Sequence, residues 1–181
     1  IAFLNDTNPN LINLYQVLAN PAHFDYICDF IASLKANPQI LELKYYFSRE
    51  LINSDKGSPV ERAIAFLILR QQCFSGMERY NKSGGFNVPW GRYKTFSCQL
   101  NEDHHNFLRA ATITCSNALD HLDTLPADTF VFLDPPYLDR AGYQEGDGGY
   151  DLHAELAIKL QTLDLPFLIV HSDHEFYRTA Y

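Results

Sequence analysis

The stretch Thr129-Phe130-Val131-Phe132-Leu133-Asp134-Pro135-Pro136-Tyr137 decides how this chain is read. Thr129 to Leu133 is a short β-branched and aromatic run, the signature of a strand, and it stops at an acid, two prolines and an aromatic. An uninterrupted apolar run suits a buried strand, and ligands of open α/β sheets bind beyond the carboxyl ends of such strands. The prolines fix φ near about −65° and remove two backbone donors, so the turn is stiff and its carbonyls point outward. Asp134 and the Pro135 carbonyl make an acceptor pair that can take both N–H groups of an exocyclic base amine such as N6 of adenine. The nitrogen lone pair is then aimed at an electrophile, by positioning and electrostatics rather than by a strong base. Tyr137 offers a flat face on which a base taken out of the duplex can stack. The plain alternative, a stiff turn that merely ends a strand, stays open on these four residues alone.

Outward from this stretch, short apolar strands alternate with helices. Ile1 to Leu4 reads as a strand with Asn5-Asp6 at its carboxyl end, and Pro9–Leu18 and Ala22–Leu34 as helices, the second with Asn20 and Pro21 as its cap and first turn. Leu41–Ile52 is a third helix with an aromatic face. Ser58, Pro59 and Glu61 form a capping box for an apolar helix running to about Cys73. Phe74 to Lys94, with glycine, asparagine, proline and aromatics and no helical period, reads as an ordered loop or hairpin. Asn106–Ala111 is helical, Thr112–Cys115 a strand, Leu152–Leu163 a helix and Phe167–Val170 a strand followed by His171, Ser172 and Asp173. The alternation predicts an α/β domain with a mostly parallel sheet, into which the loop-rich segment is inserted.

With 181 residues, 46% of them hydrophobic, the chain can bury one good core, as one domain or one domain with an insertion. Cys28, Cys73, Cys98 and Cys115 stand far apart, without zinc spacing, so reduced thiols and no metal are expected. The longest wholly apolar stretch, Ala63 to Leu69, is too short to span a bilayer, and the expectation is an intracellular protein. The net charge of −8 argues against a polyanion partner until its distribution is considered. Between Lys44 and Thr95 stand nine basic and four acidic residues, a local +5, against −13 for the remainder. Such a segment is either a local phosphate-binding face or a solvated helical surface, and charge alone does not decide between them. Asp6 is similarly open: an acid at the end of an early strand can accept from ribose hydroxyls, or it can cap the helix that begins near Pro9.

Four segments in order, Asn5-Asp6-Thr7-Asn8-Pro9-Asn10-Leu11-Ile12, Phe74-Ser75-Gly76-Met77-Glu78-Arg79-Tyr80-Asn81, Phe86-Asn87-Val88-Pro89-Trp90-Gly91-Arg92-Tyr93-Lys94 and Asp134 to Tyr137, carry a resemblance. The chain resembles Dam-like DNA adenine-N6 methyltransferases over nearly all its length. The resemblance implies a Rossmann-like methyltransferase sheet, with residues 1–40 and 96–181 as the catalytic part and 41–95 as a largely helical and loop-built DNA-recognition insert. It implies transfer of a methyl group from S-adenosylmethionine to a flipped adenine in double-stranded DNA, in a cytoplasmic, nucleoid-associated setting of bacterial or phage type, as part of restriction-modification or of other DNA methylation. Asp134, Pro135, Pro136 and Tyr137 would be catalytic, and Asp6, Asn117 and Asp134 would contact the methyl donor. Asn117 departs from the acid usual near the donor's adenine. Met77, Arg79, Pro89 and Tyr93 match recognition positions, with Asn81 beside them, and Ser75 stands where related enzymes often carry Asn. An Arg fork suits guanine and an apolar side chain suits a thymine methyl, whereas Arg92 and Lys94 read as phosphate contacts.

The family's Phe-x-Gly-x-Gly turn should precede the strand that ends at Asp6, and neither Ser83-Gly84-Gly85 nor Gly146-Asp147-Gly148-Gly149 replaces it. The expectation is therefore a piece of a larger enzyme, with a complete acceptor end and an incomplete donor end. A non-catalytic DNA-binding remnant and an RNA adenine methyltransferase are the alternative readings.

Overall fold

The computed structural model describes residues 2–54, 56–137 and 150–180; Gly146-Asp147-Gly148-Gly149 lies outside them. The chain forms two compact units, Ile1–Ser116 and Asn117–Tyr181. In the first, strands β1 (Phe3–Asp6) and β2 (Thr112–Cys115) are joined through helices α1 (Pro9–Leu18), α2 (Pro21–Ala36), α3 (Leu41–Ile52), α4 (Pro59–Gln72) and α5 (Glu102–Ala110). The two strands pair in parallel, with Phe3 opposite Thr112 and Asp6 opposite Cys115. In the second unit, β3 (Val131–Leu133), α6 (Tyr150–Gln161) and β4 (Phe167–Ile169) form a parallel pair with its crossover helix, followed by α7 (Glu175–Ala180). The protein is thus mixed α/β, with small parallel sheets and many helices.

Three helices start by one device. Asn8, Asn20 and Ser58 each accept a hydrogen bond from a first-turn N–H, and each is followed by a proline whose missing donor costs nothing there. At α4 the Glu61 carboxylate also accepts from the Ser58 N–H at 2.7 Å, closing the expected capping box. The Ser58 N–H and hydroxyl, both donating to it, hold the Glu61 carboxyl below its ordinary pKa. Helix α4 is apolar almost all round because α1 and α3 both pack against it. Its Phe66, Ile68 and Leu69 join Leu14, Ile27, Leu34 and Tyr45 in one core, so segment 41–95 contributes to this core instead of forming one of its own. The other end of α3 is closed by Arg62. Its guanidinium donates to the Ser54 carbonyl at 2.7 Å and also to those of Leu51 and Lys56, gathering the carbonyls of the helix end and of the turn that follows it.

Four expectations need correction. Helix α5 begins at Glu102, not Asn106, because Asn101 and His104 make a reciprocal cap in which each side chain accepts from the other's N–H. Strand β3 is shorter than Thr129–Leu133 and β4 ends at Ile169, although the Val170 N–H still donates to the Leu133 carbonyl at 2.9 Å. The continuous apolar run is covered on one face only: Val131 and Leu133 are buried with Leu156 and Leu160 of α6, whereas Phe130 and Phe132 are each 61% exposed. Helix α7 was not foreseen; its six residues have no apolar period, and it is held by the buried Tyr177 and by the Phe176 ring edge-on to His153.

Candidate active site and nucleic-acid interface

Asp134 follows the last residue of β3 and is exposed, while Pro135, Pro136 and Tyr137 are half-buried. The strand end is pinned by the ladder bond at Leu133, so the acid projects from a fixed point. The support nearby comes from residues the sequence reading passed over. His153 of α6 is wholly buried, and its Nδ1 lies 2.9 Å from the Tyr177 hydroxyl. Burial pushes the His153 imidazole below its usual pKa, the Pro136 carbonyl opposes that shift, and His171 adds to it. His171 in turn stacks on Tyr177 with ring centroids 4.1 Å apart. A buried His on a helix facing a buried Tyr has no periodic signature by which sequence could find it.

At the end of β1, the Asp6 carboxylate accepts the Asn8 N–H at 2.6 Å. Asn8, not Asp6, caps α1, through Oδ1 contacts to the Asn10 and Leu11 N–H groups. That removes the capping explanation for Asp6. It leaves a half-buried carboxylate at the carboxyl end of a parallel strand, with one oxygen used by its own turn and acceptor capacity remaining for a diol. Asn117 is exposed, and its carboxamide oxygen accepts the Leu119 N–H, so it caps a short 3₁₀ turn.

Residues 72–91 form a long hairpin. Its arms are bridged antiparallel at Cys73–Trp90 and Tyr80–Phe86, and the Phe74, Gly91 and Asn87 N–H groups donate to Pro89, Gln72 and Arg79 carbonyls. The second arm alternates: Phe86 and Val88 are buried, while Asn87 and Pro89 point the other way. Two helix α3 contacts pin the inner side. The fully buried Tyr45 donates its hydroxyl to the Val88 carbonyl at 2.9 Å, and burial raises this phenol far above its usual pKa, which keeps it a donor. Asn53, just past α3, donates to the Phe86 carbonyl at 3.0 Å and accepts the Phe86 N–H at 2.7 Å, as a neighbouring strand would.

On the outer side Ser75, Met77, Arg79, Asn81, Pro89, Arg92, Tyr93 and Lys94 are all exposed. Arg79 is already oriented, with Nε donating to Asn87 Oδ1 at 2.8 Å and Nη2 to the Asn87 carbonyl at 3.3 Å. The Asn81 carboxamide oxygen is committed to the hairpin turn, where it accepts from Ser83 and from the Gly85 N–H. Ser75 and Arg92 both adopt left-handed backbone, with φ of 56° and 59°. That conformation is costly for residues with a Cβ and commoner for Asn than for Ser or Arg. The basic segment is also less free than its charge suggested. Arg62 serves as a helix cap and Arg70 is paired with Glu78 at 2.8 Å, whereas Arg79, Arg92 and Lys94 remain on the exposed hairpin side. Among the described residues no group of His, Cys, Asp or Glu could hold a metal, and no helix is long and apolar enough to cross a membrane.

Comparison with known proteins agrees along the whole chain. The chain is 37% identical to the type II methyltransferase M.CviBI of Paramecium bursaria Chlorella virus NC1A, over 98% of its own length and 67% of that protein's. It is 36% identical to a DNA adenine methylase of Serratia marcescens over 74% of its own length, and 32% identical to a DNA N-6-adenine-methyltransferase of Escherichia phage P1, also over 74%. It spans 49% and 18% of the length of those two proteins. The model of the D12 class N6 adenine-specific DNA methyltransferases matches residues 2–181, and the chain belongs to that family.

Proposed function

We propose that this chain is the target-binding and base-recognising part of a site-specific DNA adenine-N6 methyltransferase acting on double-stranded DNA in the cytoplasm. The observation that carries the reading is Asp134-Pro135-Pro136-Tyr137 at the fixed carboxyl end of β3, in a chain that matches the family over residues 2–181. Asp134 and the Pro135 carbonyl take the two N6 protons of a flipped adenine and localise the amine lone pair, and Tyr137 stacks on the base. The proton lost after transfer is accepted at Asp134 or passes to water. Segment 41–95 acts as the recognition insert within a Rossmann-like catalytic fold. On it Arg79, Met77, Pro89 and Tyr93 read base edges, with Ser75 and Asn81 adjoining, while Arg92 and Lys94 hold phosphates.

The methyl donor fits the acceptors present. Asp6 would hold the ribose hydroxyls of S-adenosylmethionine, and Asn117 and Asp134 are the other residues that the family resemblance implies for donor contacts. When bound, that group supplies an electrophilic sulfonium methyl and leaves as S-adenosylhomocysteine.

The test is Asp134→Ala in the full-length protein, with methyl incorporation into duplex DNA and DNA affinity measured side by side. Transfer should disappear while duplex binding persists. Retained transfer refutes the assignment of Asp134, duplex binding without transfer by the wild type favours a non-catalytic remnant, and preferential methylation of RNA moves the substrate to RNA. Arg79→Ala should relax discrimination at one base pair by about 1–3 kcal/mol.

A further inference from the structure

An acid in the middle of a basic recognition segment needs a physical reason, because a carboxylate beside DNA phosphates repels them. Glu78 sits between Met77 and Arg79 on the exposed side, and both of its carboxylate oxygens are engaged by donors of the protein. Oε1 accepts from Asn8 Nδ2 at 2.9 Å and from the Tyr80 hydroxyl at 2.7 Å, and Oε2 accepts from Arg70 Nη1 at 2.8 Å. The donors come from three places: the cap of α1, the last turn of α4 and the first arm of the hairpin. Each is itself fixed. Asn8 holds α1 with its oxygen and gives its N–H to Asp6, and the Tyr80 ring packs edge-on to the buried Phe86 at 5.7 Å. Burial, and then the Glu78 carboxylate, raise the Tyr80 phenol well above its usual pKa, so it remains a donor.

We infer that Glu78 is a specificity-positioning residue: it ties the backbone of Met77 and Arg79 to the Asp6–Asn8 turn at the end of β1, so that turn sets where the two reading side chains stand. The inference rests on the proposed reading of Met77 and Arg79 as base contacts. It gives the segment two anchors, Glu78 for its backbone and Asn87 for the Arg79 guanidinium. It also explains why a charge that opposes DNA binding is tolerated there: with one cation and two neutral donors on it, it presents little field to a phosphate.

The experiment is a sequence selection from a randomised duplex pool by the full-length protein, scored first for the wild type and paired with methylation rates on the selected duplex. Glu78→Gln keeps the shape and removes the charge that Arg70 pairs with. Asn8→Ser keeps a side-chain oxygen to cap α1 and removes only the donor to Glu78. Both should lose discrimination at the same one or two base positions, by about tenfold, while the saturating rate on the preferred duplex is kept. Tyr80→Phe, which deletes one donor and leaves the ring, should shift the same positions by less. Unchanged preferences in Glu78→Gln and Asn8→Ser, or equal loss of affinity for every duplex, overturn the inference. Wild-type protein that selects no sequence instead refutes the site-specific reading beneath it, and that result is seen before any variant is scored.

Discussion

Asn53→Ala removes the side chain that stands in for a neighbouring strand against the hairpin. In the wild type the Asn53 carboxamide makes both hydrogen bonds of a strand pair with Phe86, at 2.7 and 3.0 Å, and the Phe86 side chain is 2% exposed. Truncation leaves one N–H and one C=O without these partners. A buried group stripped of its partner costs about 1–3 kcal/mol, and because both bonds are only part-buried the lower end applies to each, giving about 2–3 kcal/mol together. Phe86 and Val88 would still prefer the core, so the loss falls on the local equilibrium between a docked and an open hairpin and not on the helices beneath. Hydrogen exchange should show it directly: amides of residues 80–91 lose protection by about 30- to 150-fold, the equivalent of that energy. Amides of α1 and α4 should keep theirs. Affinity for the preferred duplex should fall with the docked population, while the turnover of bound DNA is unchanged. If α4 loses protection as much as the hairpin does, the two form one cooperative unit and the reasoning fails.

Three further outcomes follow from single contacts. Ser75→Asn should raise stability by about 0.5–1 kcal/mol, since Asn tolerates the left-handed backbone observed at φ 56°; a lowered melting temperature would contradict this. Arg62→Ala should cost about 2 kcal/mol in urea unfolding, because a charged donor leaves the carbonyls of Leu51, Ser54 and Lys56, and a loss too small to measure would show that water replaces it. Burial lowers the His153 pKa in the folded state, so the unfolded chain binds the proton more readily. This contribution is fully present above the unfolded value of about 6.5 and is lost as pH falls from there through the folded value. Unfolding monitored in the second unit should therefore weaken below about pH 6.5, and His153→Gln should remove that part of the slope. An unchanged slope would mean that His153 does not carry it.

What was legible from sequence divides along physical lines. Caps and prolines act locally, which is why α1 and α3 were expected with the observed bounds and α2 and α4 began within a residue of them. Helix α5 was cut short because its cap pairs Asn101 with His104, a combination without the Ser or Thr and Glu of the common box. At the candidate site, the residues that would touch substrate were visible as types: an acid after a strand, a Pro-Pro turn, and Arg and Tyr in a loop. The residues that hold them were not, since Asn53 is 33 positions from Phe86 and Asn8 is 70 from Glu78, and nothing in local pattern encodes such pairs. Coverage of β3 was misjudged for the same reason, because an apolar run reports the cover a strand can accept and not what stands on each face.

The hairpin of residues 72–91 carries this furthest. Its outer side chains are exposed, a costly state for any surface that must bind in one geometry, since each ordered side chain subtracts from affinity. Its backbone, by contrast, is held at nearly every turn: by Tyr45 at Val88, by Asn53 at Phe86, by Asn81 across its own tip and by Glu78 at the start. Among the described residues, the two non-glycine residues in left-handed backbone, Ser75 and Arg92, lie in this hairpin or directly after it. Strain of that kind persists only where surroundings over-determine the chain, and here the core, the hairpin tip and the Glu78 contacts together do so. The arrangement leaves Met77, Arg79, Tyr93 and Lys94 exposed for contact while their Cα positions are set before contact. Discrimination between sequences then depends on fit instead of adjustment, and a mutation in the backbone anchors should cost selectivity as surely as one in the side chains proposed to meet DNA.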